Sequence, residues 1–324
     1  MNADQGKPRL VFVHGIGGPR DPQQELAEWK RALADGARQA GFAPEISALT
    51  MDWSADSAFA SYGDLFDTGE AQGAGAPDTF DEEQAELLLD LLGDFLDELA
   101  ERPEHRGDPR LARVRAQVRP DGQGQGVGAA GRHLGSVLAN VAAVPGLRWG
   151  TQRLSAARLL RVLSQPGRYL RRAEPDATGR TLDQRIRDRV HRQLDPTRPA
   201  IVVAHSLGTV VALEALAEYN GPVRLFVTIG SPIGTRGLVW PRLVPQPPAT
   251  PESVGAWADF WDGDDVVVPR RTLAKLVKPN TAGVLPVPHL LDSATLWSHG
   301  ATTYLRRPEV ARPVMEALAA PGRP

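Results

Sequence analysis

Short apolar runs alternate with amphipathic stretches at the start of the chain. Residues 9–14 (RLVFVH) form a compact apolar run, which is typical of a strand buried on both faces of a parallel sheet. Asp21–Gly41 then carries apolar residues at helical spacing, and Glu45–Trp53 is predicted to be a second strand. This β-α-β opening predicts a parallel sheet with right-handed crossovers.

The same alternation resumes at Pro199. We predict strands at Ala200–Ala204, Val223–Ile229 and Ala256–Trp261, and helices at Leu207–Tyr219 and Glu309–Leu318. The fold class is therefore α/β, with a mostly parallel central sheet flanked by helices.

The middle of the chain has a different pattern. A stripe of leucines with one phenylalanine predicts a helix within residues 80–100, and further helices are predicted at Thr151–Arg172 and Thr181–Leu194. We therefore expect a large, mainly helical cap or lid inserted into the core. The predicted domains are a core of residues 1–53 and 199–324 and a cap of residues 54–198.

Charge is unevenly distributed within this predicted cap. Residues 52–101 hold 15 acidic residues and no Lys or Arg, whereas residues 102–192 hold 19 Arg against 7 acidic residues. The simpler interpretation is an acidic helix packed on basic ones. The alternative is a lid whose Arg-rich face makes peripheral contact with an anionic membrane. Aromatic residues for base stacking are sparse here, so we expect no nucleic-acid partner.

Composition excludes several classes of protein. The net charge is −2, and cysteine is absent, which excludes disulfides and thiolate nucleophiles. The N-terminus lacks the basic start and long apolar segment of a signal peptide, and no stretch approaches the length of a membrane span. We expect a soluble, cytoplasmic protein.

The segment from Ala204 to Thr209 (AHSLGT) carries the strongest chemical signal. It joins a predicted strand to a predicted helix, and it is a G-x-S-x-G nucleophile elbow with Ala204 at the first Gly position. Ser206 is the predicted nucleophile, and Gly208 supplies the small neighbour that the tight turn needs. The helix N-terminus directs the Leu207 N–H towards a developing oxyanion. The alternative is a buried serine in an ordinary strand–helix turn.

A glycine-rich loop follows the first predicted strand. His14-Gly15-Ile16-Gly17 matches no nucleotide-binding glycine motif, and the tetrahedral intermediate of acyl transfer needs a second N–H donor. We predict the Ile16 N–H as that donor, with both glycines allowing close approach of the backbone. His14 is expected to organise this loop through hydrogen bonds, and we group it with His205 of the elbow as a supporting residue.

The acid should follow a later strand. Residues 257–269 (WADFWDGDDVVVP) hold four aspartates after a predicted strand. Asp265 is the first choice, and Asp262 and Asp264 remain alternatives. A dense Asp turn is also a candidate calcium loop, but the spacing of a calcium-binding helix–loop–helix is missing.

The base should lie downstream of the acid. His299, in a loop before the last predicted helix, is preferred over His289, which lies in a proline-bracketed stretch (VPVPHLL). Ser206, Asp265 and His299 would then act together in acyl transfer, which requires neither a metal nor an organic cofactor.

Taken together, the VHGIGG and AHSLG segments resemble the oxyanion and nucleophile motifs of the lipase- and esterase-like branch of the α/β-hydrolase superfamily, small bacterial lipases among them. The segments VTIGSP and SHGATTYLRRPEV are similar to those of a wider group of lipase-fold serine hydrolases. The resemblance covers residues 8–53 and 199–318. It implies a Ser nucleophile, an Asp acid, a His base and a parallel-sheet core. Because the insertion is long and carries an apolar stripe, we expect the substrate to be a carboxylic ester of a lipid or other hydrophobic compound. Other acyl enzymes (an amidase, thioesterase or transacylase) and a non-catalytic binding scaffold remain alternatives.

Overall fold

The computed structural model describes most of the chain outside its middle third. The described residues are 7–52, 54–67, 106–118, 148–149, 152–153, 156–235, 239–263, 265, 268, 272–292 and 299–320, with isolated positions within 89–100 and 133–140. The chain divides into two compact units. Met1–Leu65, Asp183–Gly234 and Leu243–Pro324 form the first, and Phe66–Leu182 with Thr235–Arg242 form the second.

A six-stranded sheet is the centre of the first unit. Its strands are β1 (Arg9–Val13), β2 (Asp56–Ala60), β5 (Ala200–His205), β6 (Val223–Ile229), β7 (Trp257–Asp262) and β8 (Pro286–Leu291). They are ordered β2-β1-β5-β6-β7-β8, and every neighbouring pair is parallel. The predicted α/β class with a parallel central sheet is therefore confirmed.

The strand order creates a switch point between β1 and β5. The chain moves from β1 to β2 on one side, and β5 then pairs with the other side of β1. In open α/β sheets, ligands bind outside the carboxyl ends of the strands at such a point. The two segments with the strongest chemical signals, at His14 and Ser206, directly follow these two strands.

Helices flank the sheet. The first unit holds α1 (Pro22–Gln39), α2 (Ile46–Thr50), α5 (Leu182–His191), α6 (Leu207–Ala217), α7 (Ala301–Leu305) and α8 (Pro308–Ala319). Asp21 caps the N-terminus of helix α1, because its side chain accepts a 2.9 Å hydrogen bond from the Gln23 N–H. Pro22 occupies the first turn, a position that favours proline. Helices α1, α7 and α8 bury apolar side chains in one core with alternate residues of the strands, and α6 packs against β1 and β5.

The predicted strand at Glu45–Trp53 is wrong. Ala43–Glu45 forms a short 3₁₀ helix and Ile46–Thr50 is helix α2, while the strand lies further on, at Asp56–Ala60. Ile46 and Leu49, three residues apart, both pack into the core, which is helical spacing. The true strand (DSAFA) has weak β-propensity and is held by its pairing with β1. The sheet thus includes residues beyond position 53, the predicted end of the first core segment.

The sequence of strand β8 (PVPHLL) does not predict a strand, because it contains two prolines. Within the part of the chain that the structure describes, it lies at the edge of the sheet and pairs with β7 alone. Edge strands tolerate proline because half of their N–H groups need no partner within the sheet.

The second unit contains α3 (Pro109–Val118), α4 (Ala156–Arg171) and a short antiparallel ribbon of β3 (Arg148–Trp149) with β4 (Gln152–Arg153). The helix predicted within residues 151–172 is confirmed, and the one predicted within 80–100 falls mostly outside the described residues. Arg168 forms a two-pronged ion pair with Glu174 and also donates to the Phe66 carbonyl. No helix within the described residues has the length and apolar character needed to cross a bilayer.

Candidate active site

Ser206 lies in a sharp turn between β5 and α6. Its backbone has φ 53° and ψ −130°, a combination that a residue with a Cβ rarely adopts. A Cβ added to Gly208 would lie 2.2 Å from the His14 carbonyl oxygen and 2.6 Å from that of Val13. Only glycine therefore fits at position 208, and the turn has the strained geometry that the elbow motif predicts.

Three side chains from separate elements form one hydrogen-bonded chain. His299 Nε2 lies 3.0 Å from Ser206 Oγ, and His299 Nδ1 lies 2.8 Å from Asp265 Oδ2. The side chain of Asp265 is fully buried, and that of His299 is 11% exposed. The imidazole therefore has one nitrogen against a hydroxyl and the other against a buried carboxylate, the arrangement in which a histidine accepts a proton from serine.

The other candidate acids and bases occupy different places. Asp262 ends β7 and accepts, through its carbonyl oxygen, a 3.1 Å hydrogen bond from the Asp265 N–H. Asp264 lies outside the described residues. His289 lies on β8 and stacks on Phe260, with ring centroids 4.6 Å apart, so it belongs to the sheet. Among the residues considered, Asp265 and His299 are the pair that reaches Ser206.

His14 organises the loop after β1. Its Nε2 accepts a 3.2 Å hydrogen bond from the Tyr62 N–H, so its Nδ1 carries the proton and donates to the Gly15 carbonyl at 2.7 Å. The Tyr62 ring stacks on the imidazole, and the Tyr62 hydroxyl donates to the His14 carbonyl oxygen. Burial lowers the pKa of His14 to about 4, so the ring is neutral near pH 7.

The same loop passes directly beside the nucleophile. A Cβ added to Gly15 would lie 2.7 Å from Ser206 Cβ and 3.2 Å from Ser206 Oγ. The backbone that leads into Ile16 is therefore held against the serine. Leu207 is the first residue of α6, where an amide has no acceptor within its own helix. A Cβ at Gly17 would meet the Arg20 guanidinium at 2.8 Å, so Gly17 contributes to the close packing of the loop.

His205 connects the elbow to the segment that carries the base. Its Nε2 lies 2.6 Å from the carbonyl oxygen of His299 and donates to it. Burial, reinforced by the nearby His299, lowers the pKa of His205 to about 3, so the ring remains neutral near pH 7. His205 therefore fixes the backbone of His299 without adding charge to the site.

Three residues that shape the site have no role assigned to them by the sequence. Gly230, after β6, has φ 59°, and a Cβ there would lie 3.1 Å from Asp265 Oδ2 and 3.3 Å from His299 Nδ1. Its signal was a glycine directly after a buried strand. Tyr304 lies in the segment SHGATTYLRRPEV that carries the resemblance, but the segment assigns it no role. Tyr62 lies in no such segment. The contacts of both tyrosines are to residues distant in sequence.

Comparisons with protein-family models, with curated proteins and with solved structures found no match for this chain.

Proposed function

We propose that the protein is a serine hydrolase of the α/β-hydrolase type that cleaves carboxylic esters. The observation that supports this most directly is the continuous hydrogen bonding from Ser206 Oγ through the His299 ring to Asp265 Oδ2. The strained backbone of Ser206 is a second, independent support, because backbone strain in proteins concentrates at functional sites.

The first step forms an acyl-enzyme. Ser206 Oγ attacks the carbonyl carbon of the ester while its proton passes to His299 Nε2. Asp265 accepts the Nδ1–H of His299, which fixes the tautomer and stabilises the imidazolium. The negative charge on the former carbonyl oxygen is stabilised by the Leu207 and Ile16 N–H groups. The tetrahedral intermediate then expels the alcohol, which takes the proton from His299 Nε2.

The second step releases the acid. Water gives a proton to His299 Nε2 and attacks the acyl carbon, and the resulting intermediate expels Ser206 Oγ, which recovers its proton from His299. The carboxylic acid leaves and the enzyme returns to its starting state. Both steps use only residues of this chain.

The proposed substrates are esters of lipids or other hydrophobic acids, and we propose that the predicted cap selects among them. Shortening the cap should then change the preference for acyl-chain length more than the rate with a small activated ester. Equal losses on both would contradict this role. The Arg-rich part of the cap also supports binding to anionic vesicles that weakens with salt, and absence of flotation at low salt would contradict it.

Labelling with a fluorophosphonate probe tests the hydrolase proposal. Wild type should label, and the Ser206→Ala and His299→Ala variants should not. Ser253→Ala is the matched control, because it removes a serine hydroxyl from the same unit, outside the site, and it should label like wild type.

A wild type that stays unlabelled, with and without detergent or lipid, would overturn the hydrolase proposal and favour a non-catalytic scaffold. A panel of ester, amide and thioester substrates then identifies the acyl chemistry of a protein that does label.

A further inference from the structure

Tyr304 is buried beside the candidate site and takes no part in the reaction described above. It lies in α7, five residues after His299, and it is 1% exposed. Its hydroxyl donates a 2.8 Å hydrogen bond to Asp265 Oδ2, the same oxygen that faces His299 Nδ1. The hydroxyl also accepts a 3.2 Å hydrogen bond from the Asp262 N–H.

These two bonds fix the carboxylate relative to the sheet. Asp262 is the last residue of β7, so the hydroxyl of Tyr304 ties Asp265 Oδ2 to the end of a strand across the intervening turn. Burial, together with the nearby Asp265 carboxylate, raises the pKa of Tyr304 well above its usual value. The phenol therefore keeps its proton and remains a donor at every pH at which the protein is assayed.

Titratable groups at the end of β7, in the turn after it and at the end of β5 lie close to the hydroxyl. The two carboxyl groups near it are those of Asp262 and Asp265. The ring of His205 lies 6.4 Å from the Tyr304 ring, and His205 is neutral near pH 7. The imidazole of His299 faces the same oxygen, Asp265 Oδ2, as the Tyr304 hydroxyl does.

We propose that Tyr304 is a positioning residue for the hydrolase reaction. It holds Asp265 Oδ2 in line with His299 Nδ1 and so determines that Asp265, rather than its neighbour Asp262, acts as the acid. Base and positioning residue enter the site on one short segment, because the first turn of α7 follows directly after His299 and Gly300. This inference rests on the proposed hydrolase function.

The test is Tyr304→Phe, which keeps the ring and removes the hydroxyl. We expect kcat for a small activated ester to fall about 10- to 100-fold, the range that one hydrogen bond to a charged group supports. KM should stay unchanged, because Tyr304 does not contact substrate. The rate of fluorophosphonate labelling should fall in parallel. Tyr219→Phe is the matched control, because it removes a tyrosine hydroxyl of the same unit that has no hydrogen-bond partner, and its kcat should equal that of wild type.

An unchanged kcat and labelling rate in folded Tyr304→Phe would overturn the positioning role, as would a change confined to KM. Because Tyr304 acts through Asp265, Tyr304→Phe should lower kcat less in Asp265→Asn than it does in wild type. An equal fold-loss of kcat in the two proteins would also overturn the role. Circular dichroism verifies that each variant is folded.

A fold-preserving substitution covers the case in which Tyr304→Phe does not fold. Site-specific 3-fluorotyrosine at position 304 keeps both hydrogen bonds but makes the hydroxyl a stronger donor. It should change the labelling rate, because a hydrogen bond of different strength then holds Asp265 Oδ2 against His299 Nδ1; an unchanged rate would count against the proposal. Failure of the hydrolase proposal differs from failure of the positioning role, because in the first case wild type itself would neither react with the probe nor hydrolyse the ester.

Discussion

Replacing Ser206 with glycine should stabilise the protein relative to replacing it with alanine. Ser206 has φ 53° and ψ −130°, and its Cβ is the reason that this backbone is unfavourable. Such strain costs about 1–3 kcal/mol. Alanine keeps the Cβ and therefore the strain, whereas glycine removes both. Neither variant has a hydroxyl, so the bond to His299 is absent from the comparison.

A second alanine-to-glycine change measures what glycine costs elsewhere. Ala212 is buried in the middle of α6, where glycine in place of alanine costs about 1 kcal/mol. The same loss of chain entropy applies at position 206, but there the strain of about 1–3 kcal/mol is relieved. The change from alanine to glycine should therefore be more favourable at position 206 than at position 212 by about 2 kcal/mol, the middle of that range.

Urea unfolding followed by tryptophan fluorescence provides the free energies of unfolding of wild type, Ala212→Gly, Ser206→Ala and Ser206→Gly. The m-values of the variants should agree, so that differences in midpoint report stability. If the change from alanine to glycine lowers the free energy of unfolding at position 206 as much as it does at position 212, the claim that the elbow is strained is refuted.

Three further predictions concern other parts of the site and core. Gly208→Ala should lower stability by about 1–3 kcal/mol or prevent folding, because the new Cβ would lie 2.2 Å from a backbone oxygen. Gly18→Ala, where nothing lies within 4 Å of an added Cβ, should be close to neutral in the same urea assay; similar losses in both would contradict the steric argument. Asp265→Asn should lower kcat on the order of 10⁴-fold, and Asp262→Asn much less, as measured with an activated ester; the reverse order would make Asp262 the acid. Burial raises the pKa of Asp259 from 3.8 to about 7. The folded state then holds a proton that the unfolded state releases, so this residue makes stability fall as pH rises from about 4 to about 7, at roughly 1.4 kcal/mol per unit. Asp259→Asn should flatten that fall in urea unfolding across the same pH range, and an unaltered slope would show that the carboxyl is ionised throughout.

Local pattern was sufficient for the elements whose burial is uniform. The strands at Ala200–His205 and Val223–Ile229 are apolar runs buried by the sheet, and their predicted positions are confirmed within a residue. The α6 helix also begins where the elbow motif predicts it, at Leu207. These segments carry their own signal, because a strand buried on both faces must be apolar along its whole length.

The edges of the sheet required the tertiary structure. Strand β2 is short and alanine-rich, and β8 contains two prolines, so neither has the composition of a strand. Each is held by pairing with one neighbour, at a position where weak propensity and a missing N–H are tolerated. Ile46–Thr50 is a helix where the sequence predicts a strand, because five residues are too few to distinguish helical spacing from the alternation of a strand.

For the candidate site, the sequence by itself determined the residue types and their order along the chain. The motif with Ser206, the acidic turn and the downstream histidine follow from the rule that functional residues lie after the carboxyl ends of parallel strands. Their joint role as a catalytic triad stays a prediction. Only the tertiary structure decided which aspartate meets His299 and that Tyr304 holds it there. Hydrogen bonds between residues 34 and 39 positions apart depend on how the strands and helices pack, and no local pattern encodes that distance.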